Sequence, residues 1–120
     1  MNFFDKLPAN LRATSYSAGE EHAWSMQDTI IVIEQLRKLD LALCGIEIWL
    51  PADHGPIIPT PFIYGWAIEP EKNEEWKKFK DRSRNEAIEY LNSFSWDRND
   101  VAHQNLIPYF NLTVCSKDNF

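Results

Sequence analysis

Residues 23–51, AWSMQDTIIVIEQLRKLDLALCGIEIWLP, decide the fold of this chain. The first half predicts a helix at about 25–39, because Ser25 is a good N-cap and the following apolar residues recur at helical spacing. The second half alternates as a strand does and predicts a β-strand at 41–50. Its even-numbered residues 42–50 are all apolar and predict the core face, which leaves the opposite face to Leu43, Gly45, Glu47 and Trp49.

The rest of the chain predicts two more strands and one more long helix. The loop 51–61 carries four prolines, which exclude a helix or a central strand. Alternating aromatic residues then predict a strand at 62–69, and an amphipathic pattern predicts a helix at 73–94. A last apolar run predicts a strand at 106–115.

The predicted order is therefore helix, strand, strand, helix, strand. This order indicates an α+β fold, with a small, mostly antiparallel sheet of about three strands and two main helices packed on one face. A length of 120 residues predicts a single domain over 1–120. Within it, Pro8 and the polar run 14–19 predict an irregular segment at 1–22, and residues 116–120 are expected to fray.

The two cysteines, Cys44 and Cys115, both lie inside apolar, strand-like runs. Apolar residues make up 44% of the chain, which is enough for a core that needs no disulfide or metal. We interpret the cysteines as two buried, reduced thiols of a reducing compartment. A structural bridge is the alternative if their strands are neighbours.

The charge balance narrows the class of partner. The formal net charge is −6, with 18 acidic and 12 basic residues. This disfavours a nucleic-acid binder, which needs a basic surface, and suits a basic protein partner. The N-terminus does not resemble a signal peptide, and no apolar run approaches the roughly 20 residues that cross a bilayer. We therefore expect a cytoplasmic protein that acts on neither nucleic acid nor membrane.

No motif for catalysis, metal binding or cofactor binding occurs in the sequence. His22, His54 and His103 are isolated and lack metal-ligand spacing, and neither a nucleophile elbow nor a glycine-rich phosphate loop is present. We predict no cofactor, no metal site and no catalytic residue. A small enzyme would need the fold to bring His103 against Glu47 or Cys44 in a cleft.

Several short pieces, in this order, carry a family resemblance. They are Trp24-Ser25 before the first helix, the strand around Gly45-Ile46-Glu47, Tyr64-Gly65-Trp66 after the proline-rich loop, and a helix containing Trp76. Over about residues 23–94 the chain resembles a group of bacterial polymorphic-toxin immunity proteins, the immunity protein 40 family. That family tends to show Gly-Gly-Asp at 45–47, and a glycine in place of Asp40.

The resemblance implies a cytoplasmic protein without catalytic turnover. Such a protein binds a cognate toxin domain and neutralises it by covering or distorting the toxin's active site. A general protein-binding adaptor or regulator of unknown ligand is the alternative. Aromatic residues beside acids are common at protein interfaces. The predicted partner-binding residues are Glu47, Trp49, Asp53, Tyr64 and Trp66.

Overall fold

The computed structural model describes residues 2–60 and 63–120. Its α-helices are α1 (Ala9–Ala13), α2 (Met26–Lys38) and α3 (Trp76–Asn92). Its strands are β1 (Tyr16–Ala18), β2 (Glu21–Trp24), β3 (Ala42–Trp49), β4 (Trp66–Ala67) and β5 (Tyr109–Cys115). Short 3₁₀ turns cover Phe3–Lys6 and Lys117–Asn119.

The five strands form one antiparallel, open sheet in the order β1-β2-β5-β3-β4. The α+β class is confirmed, and the predicted order helix, strand, strand, helix, strand describes α2 to β5. The predicted count of about three strands was too low. The hairpin β1–β2 was missed because strands of three and four residues are too short to show alternation.

The main core lies between one face of the sheet and the helices. The register places Ile48 opposite Phe110 and Ile46 opposite Leu112, so these four side chains share a face. Buried residues of α2 and α3 pack against them: Val32, Ile33, Leu36, Ala87 and Leu91. Ser25 caps α2 as predicted, with its hydroxyl oxygen accepting from the backbone N–H of Asp28 at 3.5 Å.

A bulge in β3 changes which residues of this strand face the core, so the predicted core face was partly wrong. The pairing with β5 shifts register between Leu43 and Gly45, so strict alternation stops at Cys44. Leu43 therefore joins Ile46 in the main core, although the sequence pattern assigned it to the opposite face. Ala42 belongs instead to a second cluster with Trp76 and Phe79 of α3.

Cys44 and Cys115 form a disulfide, so the interpretation of two reduced thiols was wrong. Their strands are direct neighbours, and Cys115 pairs with Ala42, next to the bulge that contains Cys44. The resulting Cα–Cα separation of 6.3 Å lies within the range of natural disulfides.

Both chain ends are more ordered than the sequence indicated. Within the expected irregular segment 1–22 lie a 3₁₀ turn, α1 and most of the β1–β2 hairpin. Trp24 holds α1 in place, because its buried indole Nε1 donates to the Leu11 carbonyl at 2.7 Å. In the tail, Lys117–Asn119 form a 3₁₀ turn, and the ring centroid of Phe120 lies 5.3 Å from that of Trp76.

The remaining boundaries shift by a few residues. The strand predicted at 62–69 narrows to β4, and residue 62 lies outside the described residues. α3 begins at Trp76 rather than near Asn73, which adopts a left-handed φ of 64°. Pro108 delays β5 until Tyr109. Among the described helices, none combines the length and apolar character needed to cross a bilayer.

Candidate functional site

Two loops meet at one end of the sheet. Trp49 ends β3 and pairs with Tyr109, which begins β5, so the loop after β3 and the loop before β5 leave from the same end. The first loop is closed at its base by paired backbone hydrogen bonds of 2.8 and 2.9 Å between Leu50 and Ile57. We call residues 51–60, 63–65 and 95–108 the two-loop surface.

Tyr64 fastens the two loops together. Its hydroxyl donates to the carboxylate of Asp100 and accepts from the backbone N–H of Asp97 at 3.2 Å. Its ring also meets the ring of Trp96 edge-on, with centroids 4.8 Å apart. These contacts join residues more than 30 positions apart in sequence and set the position of one loop relative to the other.

Asp100 is a buried acid at the centre of this junction, only 3% exposed. Burial opposes its ionisation, but hydrogen bonds from Tyr64 and from His103, whose Nδ1 lies 2.7 Å from Oδ2, together hold the pKa of Asp100 below its usual value. Burial, and then the bond to Asp100, raises the pKa of Tyr64. At neutral pH the junction therefore pairs a carboxylate with a phenolic O–H donor.

The two-loop surface carries exposed apolar side chains among its polar residues. Ile63 is 96% exposed and Val101 is 81% exposed. Six of the eight exposed large hydrophobic residues in the described parts of the chain lie on these two loops: Ile57, Ile58, Ile63, Val101, Leu106 and Ile107. Such clustering is typical of a protein-interaction surface.

The predicted site residues Glu47 and Trp49 take different roles. Trp49 is only 2% exposed, beneath the ring of Tyr16 at a centroid distance of 6.0 Å. Its indole Nε1 donates to Oε1 of Glu47 at 2.8 Å. Trp49 therefore supports the sheet and orients Glu47, whereas the Glu47 side chain is exposed at the border of the two-loop surface.

The other predicted residues are spread over two places. Asp53 is exposed in the tight turn of the first loop, which the Tyr16 hydroxyl anchors by donating to the Ala52 carbonyl at 2.8 Å. Trp66 lies on the helix side of the sheet, where it stacks on Tyr90 at 6.4 Å. The structure thus places Asp53 and Tyr64 on the two-loop surface and keeps Trp66 half-buried beside it.

Sequence reasoning missed the second loop. None of the predicted partner-binding residues lies in residues 95–108, so Val101 and Ile107 received no role in binding. A usable signal was present, because Val101 is a large apolar residue within the polar segment 97–105. Apolar residues in such a position, outside any amphipathic element, favour an exposed contact surface.

An open cleft of about 540 Å³ lies along the edge of β3, between β4 and the first loop. Its lining includes Glu47 and Ile48 of β3, Ile58 of the first loop, and Tyr64 and Trp66 on the return to β4. The cleft opens next to the two-loop surface, so one partner could contact both.

The contacts of His103 differ from those that a small enzyme of the predicted kind would need. His103 bonds Asp100 and lies against the ring of Trp96, with centroids 5.4 Å apart. It is therefore paired with neither Glu47 nor Cys44, and Cys44 is held in the disulfide. The Asp100–His103 pair serves to brace the second loop.

The family comparison agrees with the resemblance in the sequence. The model of the family described as immunity protein 40 matches residues 10–113. The chain belongs to the immunity protein 40 family. The match extends beyond residues 23–94, so this immunity protein 40 fold includes the β1–β2 hairpin, both loops of the two-loop surface and most of β5. No curated protein and no solved structure matches the chain.

Proposed function

We propose that this protein binds a toxin domain encoded beside it and neutralises that domain by occlusion, without catalytic turnover, in the cytoplasm. Membership of the immunity protein 40 family supports a toxin as the partner. The two-loop surface supports a role in binding. The observation that carries the proposal is the cluster of exposed apolar side chains on two loops that Tyr64 and Asp100 hold together.

Preorganisation makes this surface suited to tight binding. A loop that must be ordered on association loses conformational entropy, which weakens the complex. The first loop is restricted by its prolines and by the Leu50–Ile57 closure, and the second by the contacts of Tyr64 and His103. Its apolar side chains can therefore meet a partner with little additional ordering.

Charge favours a basic toxin domain. The protein has a net charge of −6, and Glu47 and Asp53 add exposed carboxylates beside the apolar patch. An apolar centre with charges at its rim is the usual composition of an interface, and complementary charge accelerates association. In this proposal Glu47, Asp53, Tyr64 and Trp66 contact the toxin, and Trp49 acts by supporting Glu47.

Growth rescue tests the proposal directly. The C-terminal domain of the protein encoded by the neighbouring gene is induced in cells with and without this protein. We expect this protein to restore growth and to co-purify with the toxin domain. Purified protein should abolish toxicity or toxin activity at one molar equivalent, independent of incubation time, because occlusion is stoichiometric whereas enzymatic inactivation is not.

Matched surface variants assign the interface. Val101→Ser with Ile107→Ser removes apolar side chains from the two-loop surface, and Ile31→Ser does so on the exposed face of α2. We expect the loop variant to lose rescue and the α2 variant to keep it. A chain that folds but neither rescues growth nor binds the neighbouring toxin would instead favour the adaptor or regulator.

A further inference from the structure

The edge of the sheet is interrupted beside β3. β4 pairs only with Gly45 and Ile46, and the next pairing on this side of β3 is the Leu50–Ile57 bridge. Within the described residues, no strand pairs with this edge between those two points. The cleft of about 540 Å³ occupies this interval.

Most of the described residues that line the cleft are apolar. Ile48, Ile58 and Trp66 are among them, and Thr60 and Tyr64 are the uncharged polar residues of the lining. Among the described residues that line the cleft, Glu47 is the one charged side chain. An occupant that fits this lining has a long apolar stem and a cationic end.

The Glu47 carboxylate is already oriented. Its Oε1 accepts from the indole Nε1 of Trp49 at 2.8 Å, and the indole itself is fixed by burial. Neither a hydrogen bond nor an ion pair engages Oε2 within the described parts of the chain. One oxygen of a held carboxylate is thus available to a partner at the mouth of the cleft.

Arginine fits this arrangement better than lysine does. Its guanidinium is planar, donates several hydrogen bonds in fixed directions and stacks on aromatic rings, while its three methylene groups pack against apolar surface. Arginine is also enriched among the residues that dominate interface energetics. We infer that the cleft beside Glu47 receives an arginine side chain of the cognate toxin domain, an inference that rests on the proposed function.

Glu47→Gln separates the proposed role of Glu47 in binding arginine from its structural role as hydrogen-bond acceptor for Trp49. Glutamine keeps a side-chain oxygen for Trp49 but removes the charge that attracts arginine. Glu20→Gln is the matched control, because Glu20 is an exposed acid in the β1–β2 turn, at the opposite edge of the sheet. Binding to the neighbouring gene's C-terminal toxin domain is measured by calorimetry at low and high salt, with thermal unfolding of each variant alongside.

We expect Glu47→Gln to raise Kd at least about tenfold and to weaken its salt dependence, while Glu20→Gln leaves Kd unchanged. A toxin variant in which one arginine is replaced by glutamate should restore binding to Glu47→Lys. If the wild-type protein neutralises the toxin and Glu47→Gln binds equally well, the inference is overturned and the proposed function stands. If binding to Glu47→Lys is restored when a toxin lysine is replaced by glutamate, the assignment to arginine is overturned. The same holds if no replacement of a toxin arginine restores it. A wild-type protein that does not bind the toxin overturns the proposed function itself.

Discussion

The carboxylate of Asp40, two residues after the end of α2, accepts a hydrogen bond of 3.0 Å from the indole Nε1 of Trp76, the first residue of α3. Asp40 also pairs with Lys80 and adopts a left-handed φ of 55°. The hydrogen bond from Lys80, followed by that from Trp76, lowers the pKa of Asp40. Asp40 thus joins the two helices through its side chain, at a backbone conformation that glycine adopts without strain.

Replacing Asp40 should distinguish backbone strain from side-chain contacts. Asp40→Ala keeps a side chain in the left-handed conformation and loses both partners, whereas Asp40→Gly loses the partners but removes the strain. We expect both variants to lower Tm, and alanine to lower it more. Thermal unfolding followed by circular dichroism measures this order, and a glycine variant less stable than the alanine variant would contradict the account.

The bond between Trp49 and Glu47 should matter for stability as well as binding. Glu47→Ala leaves the buried indole N–H of Trp49 without its acceptor, and an unsatisfied buried donor costs about 1–3 kcal/mol. Glu47→Gln preserves an acceptor and should unfold near the wild-type denaturant midpoint. Urea unfolding followed by tryptophan fluorescence tests the pair, and equal midpoints for all three proteins would show that the bond contributes nothing.

Acid should weaken the fold through Glu74. Arg82 donates to both carboxylate oxygens of Glu74, each at 2.8 Å, and this pairing, with a backbone bond from Glu71, lowers the pKa of Glu74 from 4.5 to about 2. Because the folded pKa is depressed, the stabilisation is complete above pH 4.5 and is lost as the pH falls towards 2.

The matched variants for this acid effect are Glu74→Gln and Glu75→Gln. Glu75 is exposed and its side chain makes no capping bond. Between pH 5 and pH 2.5, we expect the wild-type protein and Glu75→Gln to lose more stability than Glu74→Gln. Unfolding in urea at each pH measures the difference, and parallel pH curves for all three would exclude Glu74 as the source.

Removing one hydroxyl should loosen the junction of the two loops. Tyr64→Phe keeps the ring beside Trp96 but deletes the donor to Asp100 and the acceptor for Asp97. We expect faster amide hydrogen exchange in residues 95–108 and weaker toxin binding, with a folded core. Tyr109→Phe serves as the control, because no hydrogen bond of its hydroxyl occurs within the described residues. Equal exchange in both variants would show that the hydroxyl does not brace the loop.

The oxidation state of Cys44 and Cys115 should change the stability of the folded protein. The Cys44–Cys115 bond joins residues 71 positions apart, and closing a loop of this length stabilises the fold by about 4 kcal/mol in the chain-entropy account. We expect the oxidised protein to unfold at a higher denaturant concentration than the reduced one. Cys44→Ser should unfold like the reduced protein and should not respond to reductant. A wild-type midpoint that is independent of reductant would refute a stabilising bond.

The sequence alone determined features that depend on neighbouring residues. The cap by Ser25 and the apolar spacing of α2 are local, since N-cap bonds and helical faces involve residues three or four positions apart. For the same reason the strands β3 and β5, the helix α3 and the α+β class could be predicted. Among the predicted site residues, Glu47 and Asp53 are exposed, and their contact with a partner stays a prediction.

Tertiary structure decided what depends on residues distant in sequence. The bulge at Cys44, the disulfide and the burial of Trp49 beneath Tyr16 arise only when β5 and the β1–β2 hairpin take their places in the sheet. The junction of Tyr64 with Asp100 likewise spans 36 positions. The spacing of apolar residues in the sequence does not predict such pairings. Their free energy comes from burial and hydrogen bonds that form only once distant parts of the chain have come together.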